Sequence, residues 1–375
     1  MRKLVTYRTI SDVWEHPNAD RLDIVVIDGW QVVTQRGNFQ KGDPCCFFEI
    51  DSFLPVDDPR FEFLTKTGVK KDASGQQRVR LRTIKLRGEI SQGLALPWNQ
   101  FHEFHERTDL DQIDMAQVLN VIKYQRPFPT VTNAAGSFPD ITPKTDEERI
   151  QNIHEEYSNL YHDDLFVPTL KLDGSSCTVL AVQDPDNWKN TDSVTTNAID
   201  VRDHRGDKVA EVAVCSRNLQ LKVDAESHFW KATAPEITDY PNPDVVAAVI
   251  CELTENKRSL AIQGEVIGPG IQKNPEKLNN FKFYVFNIYD IRDGHYLNWQ
   301  QVTELCDEHG LNHVPAIDEP RKPFSDFDLN QLLKYSDGPS LNNKRREGIV
   351  WKKCDDGDVS FKVISNAFLL SGGDD

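Results

Sequence analysis

Over the first 95 residues, apolar and polar positions fall into short β-type runs. Arg21-Leu-Asp-Ile-Val-Val-Ile-Asp, Gln31-Val-Val-Thr-Gln and Cys45-Cys-Phe-Phe-Glu-Ile are rich in β-branched or aromatic residues. Turn signals separate them at Asp28-Gly29, Arg36-Gly37-Asn38 and Lys41-Gly42-Asp43-Pro44. Several strands at this spacing predict a small closed barrel or sandwich. In Arg78-Val-Arg-Leu-Arg, basic and apolar residues alternate strictly, which predicts a strand with one cationic face. The phase reverses at Thr83-Ile84: Ile84 and Leu86 become the apolar positions, and Lys85 and Arg87 the basic ones. A bulge or tight turn there would account for the reversal.

Farther on, Asp114-Met-Ala-Gln-Val-Leu-Asn-Val-Ile-Lys-Tyr has the pattern of one short amphipathic helix. Pro127, Pro129, Pro139 and Pro143 mark a linker, assigned to 126–143. Thr145-Asp-Glu-Glu148 has the form of a capping box and predicts a helix from there to about Tyr157. Strand-like and helical runs then alternate, as in an α+β domain. The expectation is a multidomain chain: an all-β barrel over 1–125, the linker, and an α+β domain with antiparallel sheets over 144–375.

Net charge alters this picture locally. The chain carries a formal charge of −16, which argues against a broadly polyanion-binding surface. Yet Lys66, Lys70, Lys71, Arg78, Arg80, Arg82, Lys85 and Arg87 stand against the single acid Asp72, and Lys344-Arg345-Arg346 with Lys352-Lys353 flanks Glu347. Two basic islands in an acidic chain point to local polyanion sites. A basic strand face on a small barrel is how oligonucleotide-binding (OB) folds track a phosphate backbone, so Arg78, Arg80, Arg82, Lys85 and Arg87 are the expected nucleic-acid contacts. The seven cysteines show no Cys-x-x-Cys pair, which implies reduced thiols and neither disulfides nor a zinc site. A polar N-terminus and the lack of a long apolar run lead to the expectation of a cytoplasmic protein with no membrane partner.

The chemistry gathers around Leu170-Lys171-Leu172-Asp173-Gly174. A lysine that attacks a nucleotide phosphate must lose its proton near neutral pH, and needs cations on the phosphate, carboxylates for metal and an apolar face for the base. Downstream, Gln263-Gly-Glu265 ends one apolar run, Phe283-Tyr-Val-Phe286 is aromatic, Glu347 precedes Gly-Ile-Val-Trp-Lys352, and Lys362 lies inside Val-Ser-Phe-Lys-Val-Ile. Singly, each is equally a core or surface residue of a strand. Their joint presence and order give them weight.

Lys171-Leu-Asp-Gly, Ser216-Arg-Asn, Gly264-Glu265, Phe286-Asn-Ile, Glu347-Gly-Ile-Val and Ser360-Phe-Lys362 resemble, in order, the motifs of the covalent nucleotidyltransferases: DNA ligases, RNA ligases and mRNA-capping enzymes. The resemblance spans about 145–370. It implies an ATP-grasp-like catalytic fold in which Lys171 takes AMP from ATP. DNA ligases and capping enzymes carry their OB domain after the last of these motifs, whereas here only 13 residues follow Lys362 and the barrel comes first. That order resembles the Deinococcus-type, template-dependent RNA ligases, as do Lys85-Leu-Arg-Gly-Glu-Ile-Ser-Gln-Gly-Leu and Thr145-Asp-Glu-Glu-Arg149-Ile-Gln-Asn152. His16-Pro-Asn-Ala-Asp-Arg-Leu is similar to the opening of tRNA-binding OB modules. Several RNA-ligase branches have a second lysine at the place of Ser360, so Lys362 would act alone or with Lys352.

The resemblance implies an ATP-dependent RNA ligase, with Mg²⁺ or Mn²⁺ as metal. It would join 3′-OH and 5′-phosphate RNA ends, at nicks in a duplex on an RNA or DNA template, as a monomer. Lys171, Asp173 and Lys362 would be catalytic. Leu170, Arg149, Arg217, Glu265, Phe286 and Lys352 would contact the nucleotide, and Asp173, Glu265 and Glu347 the metal, one of them holding the ribose instead. The alternatives are a DNA ligase, a GTP-using capping-type enzyme, or a non-catalytic RNA-binding module.

Overall fold

The structure, a computed structural model, describes residues 3–110, 112–125, 133–183, 199–202 and 205–372. The chain divides into two compact units: Met1–Phe128 with Gln151–His154 and Asn366–Asp375, and Pro129–Ile150 with Glu155–Ser365. Pro127 and Pro129 of the expected linker lie outside the described residues.

The first unit is mainly β, with 3₁₀ segments at Pro59–Thr67, Trp98–Gln100 and His102–Phe104 and a short helix at Asn366–Leu370. Its strands are β1 Val5–Thr9, β2 Asp12–Glu15, β3 Leu22–Ile27, β4 Trp30–Gln35, β5 Pro44–Phe48, β6 Ser52–Pro55, β7 Lys70–Lys71, β8 Gln77–Arg80, β9 Thr83–Leu86, β10 Glu89–Gln92, β11 Leu94–Pro97 and β12 Ile122–Lys123. They pair antiparallel as β1-β5-β11, β2-β3-β4, β9-β10 and β12-β6-β8-β7. Alternation works as the sequence implies on β4, where Trp30, Val32 and Thr34 point inward. Ile24, Val25, Phe47, Phe48 and Phe61 are almost fully buried in this unit.

The phase reversal at Thr83 is neither a bulge nor a tight turn within one strand. It is a change of sheet: β8 pairs with β6, the chain breaks at Leu81-Arg82, and β9 starts a hairpin with β10. The helix expected from Asp114 is only one turn, Met115–Val118, capped by Asp114, and the chain returns to β12 at Ile122.

The second unit holds a large antiparallel sheet in the order β13-β18-β17-β15-β19-β20-β21, with β16 on the far side of β17, and a small sheet β14-β22-β23. Its strands are β13 Ala134–Ser137, β14 Phe166–Lys171, β15 Ser175–Gln183, β16 Ile199–Arg202, β17 Lys208–Ser216, β18 Leu219–Leu221, β19 Leu260–Ile267, β20 Lys282–Asp290, β21 His295–Tyr296, β22 Gly348–Lys353 and β23 Ser360–Ile364. The helix Val245–Thr254 packs on β15 and β19 and buries Val245, Val249 and Leu253. All seven cysteines are free and none is fully exposed. Among the described residues no helix is long and apolar enough to cross a membrane.

The capping box does not cap. The helix spans Ile150–Leu160, starting after Arg149, with no side-chain cap. Residues 145–149 stay out of the helix because the Lys362 N–H of β23 donates to the Glu148 carbonyl at 2.8 Å, and Arg149 bridges alongside Lys362. Thr145 bonds Ser176 instead, Oγ to Oγ at 3.0 Å. Pairing with a strand overrides the local capping preference.

Candidate active site

Strand register gathers the lysines. In the small sheet Lys171 pairs with Gly348, Val350 with Lys362, and Lys352 with both Val167 and Ser360. Directly opposed residues share a face and alternate residues repeat it, so Lys171, Lys352, Lys362 and Ser360 all lie on one side. The other side is apolar and aromatic. Phe166 meets Phe361 at 5.6 Å between ring centroids, and Trp351 stacks on Phe361 at 6.2 Å. That packing anchors the strands whose opposite face is cationic.

The large sheet supplies the acids. Ser176 pairs with Glu265, Glu265 with Tyr284, and Gln263 with Asn287. The register slips between Gln263 and Gly264, which leaves Phe286 as the extra residue of a bulge. The slip brings Asn287 onto the face of Glu265 without removing Phe286 from it. Phe286 is half-buried, and Asn287 accepts a hydrogen bond from Lys352 Nζ.

Two motif glycines are explained by close approach. A Cβ on Gly174 would stand 2.5 Å from the Val266 carbonyl oxygen and 2.8 Å from Glu265 Cγ. One on Gly348 would stand 2.2 Å from the Val363 carbonyl oxygen. Only glycine lets the turn after Asp173 lie on β19, and β22 lie on β23 beside Lys171.

Lys171 Nζ donates to Glu347 Oε1 at 2.7 Å. Burial by itself lowers the Lys171 pKa, but Glu347 and Glu265 outweigh it, so the resting ammonium is raised above its usual 10.5. Glu265 is driven the other way: burial first, then Glu347 and Asp173, push its carboxyl up to about 8 despite the opposing pull of Lys171. Burial, Arg149 and Lys171 lower Lys362 to about 8, and burial lowers Lys352 to about 8. Glu147 acts on Lys171, Lys352 and Lys362 together. The sequence carries no sign of this, because Glu147 lies inside Thr145-Asp-Glu-Glu148, a pattern that reads as a helix cap.

The remaining candidates separate. Arg149 lies beside Lys362. Arg217 is mostly exposed, pairs with Asp146 and is near enough to Glu265 to lower its carboxyl. Leu170 faces away from Lys171 into the core, so its side chain is withdrawn from the site. Neither basic island is a simple cationic face. Arg78 is 3% exposed; its guanidinium bonds Asp72 and the carbonyls of Phe53 and Asn120. Ser74 and Arg78 together hold the Asp72 carboxyl well below the usual range. Arg80 bonds Asp51 and lies over the Tyr124 ring. Both are structural, which leaves Arg82, Lys85 and Arg87 exposed. In the second island Arg346 is buried on the carbonyls of Tyr335, Ser336 and Asp337, and Lys353 pairs with Asp355.

Comparison with known proteins bears directly on this arrangement. The RNA ligase family model matches residues 164–364, which hold the lysine face and the carboxylates. The chain belongs to the RNA ligase family. An OB-fold domain model matches residues 4–98, the strands of the first unit. This RNA ligase is also similar to solved structures of Naegleria gruberi RNA ligase. One, a variant with AMP and Mn, is 34% identical over 99% of each chain with a TM-score of 0.76. Another, a variant with ATP and Mn, is 34% identical over 98% of this chain and 99% of its own, TM-score 0.76. A third, with PPi, is 35% identical over 99% of each chain, TM-score 0.74. No curated protein sequence compared with the chain matches it significantly.

Asp173, Glu265 and Glu347 offer oxygen donors of the kind that magnesium and manganese take, but their carboxylate oxygens do not all lie within 4.8 Å of one another; among the described residues only Glu252, Glu308 and His309 are grouped that closely. Glu265 is a half-buried carboxyl whose pKa Glu347 and Asp173 raise further, the condition that a cation would relieve.

Proposed function

We propose that this RNA ligase is ATP-dependent and works through a lysyl-AMP intermediate to seal 3′-OH/5′-phosphate nicks in duplexes. The observation that carries the reading is the placing of Lys171 against Glu347, at 2.7 Å, on the same sheet face as Lys362. The Naegleria RNA ligase structures with ATP, AMP and manganese support the choice of nucleotide and metal.

In the first step Lys171 Nζ bonds to the α-phosphorus, the bond to the bridging oxygen breaks, and pyrophosphate leaves. Lys171 must first shed a proton, and Glu347 Oε1 is within hydrogen-bond reach to take it. Lys362 offsets charge on the phosphoryl group in transfer, with Arg149 beside it on the pyrophosphate side. Phe286 offers its ring to adenine, and Arg217 reaches the AMP phosphate or the RNA ends. A divalent cation on Asp173, Glu265 and Glu347 would neutralise phosphate charge and loosen their hold on the Lys171 proton. AMP then passes to the 5′-phosphate of the RNA. The 3′-OH attacks that activated end, and AMP leaves.

The test is incubation with α-labelled ATP and manganese, followed by a panel of nicked duplexes with RNA or DNA on each side and on the template. The chain should take one acid-labile label and Lys171→Ala none, with sealing fastest where RNA supplies the 3′-OH. A label on another lysine would overturn the assignment. Sealing of an all-DNA nick alone would overturn the RNA preference.

A further inference from the structure

The stretch His16-Pro-Asn18 plays no part in the chemistry above, and its hydrogen bonds all go to one place. His16 is 3% exposed, at the end of β2. Its Nδ1 accepts from the Asn18 backbone N–H at 3.0 Å, which leaves Nε2 to carry the hydrogen and donate to the Leu86 carbonyl, also at 3.0 Å. Asn18 completes the tie: its Nδ2 donates to the Arg87 carbonyl at 3.0 Å, and its own carbonyl accepts from Arg87 Nη1 at 3.4 Å. The tied segment is the β9–β10 turn, Leu86-Arg87-Gly88. Arg87 adopts φ 47° and Gly88 φ 104°, the left-handed pair of a two-residue hairpin turn, as Asp28 and Gly29 do between β3 and β4. Unlike that turn, the β9–β10 turn is braced by two side chains from some seventy residues earlier in the chain.

What the tie holds out to solvent is charge. Lys85 and Arg87 are exposed at the tip, and among the described residues no carboxylate pairs with either. Arg82, also exposed, lies just before β9. Lys85 and Arg87 are the reverse of Arg78 and Arg80, whose charge is spent on Asp72 and Asp51. A left-handed turn braced from a buried histidine and its neighbour, with no described carboxylate on Lys85 or Arg87, is suited to a ligand of fixed shape and negative charge.

We propose that the β9–β10 hairpin is the contact of this domain with the phosphate backbone of duplex RNA, and that His16 and Asn18 are its positioning residues. The proposal rests on the RNA-ligase reading for the identity of the polyanion. A duplex backbone has fixed phosphate spacing, so a rigid tip gains more from it than a mobile one does, through the ordering it need not undergo on binding.

The experiment is equilibrium binding of nicked duplex RNA at several salt concentrations, with the full chain and no nucleotide. Lys85→Gln with Arg87→Asn should weaken binding and flatten the log–log salt slope by roughly 0.7–0.9 for each cation removed. Arg78→Gln should not change the slope. His16→Ala should weaken binding about 5- to 10-fold, as a lost preorganising contact does. His16→Gln, whose amide N–H can reach the Leu86 carbonyl, should recover most of that loss. His16→Asn, which keeps only the Asn18 contact, should not. An unchanged slope in the Lys85/Arg87 variant would overturn the proposal, as would equal losses for His16→Gln and His16→Asn. Equal binding of a single-stranded RNA would reassign the hairpin to an unpaired strand. Self-labelling with AMP is read on the parent chain separately. Its failure would sink the proposed function and leave the hairpin result standing.

Discussion

Replacing Lys362 by methionine should stabilise the protein while it destroys activity. Lys362 lies at about 8 where a free lysine lies at 10.5, because it is buried and stands beside Arg149 and Lys171. At about 1.4 kcal/mol per pK unit this corresponds to roughly 3 kcal/mol of destabilisation at neutral pH. Part of the side chain still meets solvent, so the recoverable amount is about 1–3 kcal/mol. The sign is that of a depressed lysine. The unfolded chain binds the proton more tightly, so the cost is fully present below the folded pKa and fades as pH rises toward the unfolded one. Urea unfolding of Lys362→Met against the parent should therefore show the full gain at pH 7 and less than about half of it at pH 9.5. Adenylylation should fall by a factor on the order of a hundred or more. A variant no more stable than the parent at pH 7, or one whose gain is the same at both pH values, would refute the reasoning.

Phe286→Leu keeps an apolar side chain against the core but loses the ring. It should raise the KM for ATP about tenfold or more with little change in kcat, as loss of base stacking does. Gly174→Ala puts a methyl 2.5 Å from a backbone oxygen that cannot step aside. Thermal unfolding should show about 1–3 kcal/mol of destabilisation, with labelling impaired even where the chain is folded. Arg78→Ala leaves Asp72 without its partner. It should lower the urea midpoint of the first unit, because the carbonyls of Phe53 and Asn120 also lose their donor.

Several strands were legible because β-branched runs lie between turn residues. Leu22–Ile27, Trp30–Gln35, Lys282–Asp290 and Ser360–Ile364 fall where the pattern puts them. The chemistry was legible as a list of types in order. Register was not. Nothing local says that Lys171, Lys352 and Lys362, drawn from three strands, share a face, or that a bulge turns Asn287 toward Glu265 beside Phe286. Misreadings arose where a distant partner outweighed a local preference. The box Thr145-Asp-Glu-Glu148 is held extended by β23. The alternation at Arg78-Val-Arg is real, but Asp72 and Asp51 come from other segments and take up both charges. Alternation places a charge on a face; it does not reveal whether that face is covered.

The two lysines of the site are displaced in opposite directions by one environment, and this gives each its role. Glu347, hydrogen-bonded to it, keeps Lys171 charged, while burial, Arg149 and Lys171 itself weaken the charge on Lys362. On the proposed mechanism the nucleophile is thus blocked in the resting pocket, and the phosphate-binding cation is only partly formed near pH 8. Arrival of a polyphosphate reverses both conditions. Its negative charge draws a proton onto Lys362. Whatever engages the carboxylates ceases to favour the ammonium of Lys171, so its burial, which lowers the pKa, is no longer offset. Lysine alone would not discriminate between these roles, since both side chains have the same intrinsic pKa. The neighbours decide: carboxylates beside the residue that must wait, cations beside the residue that must bind.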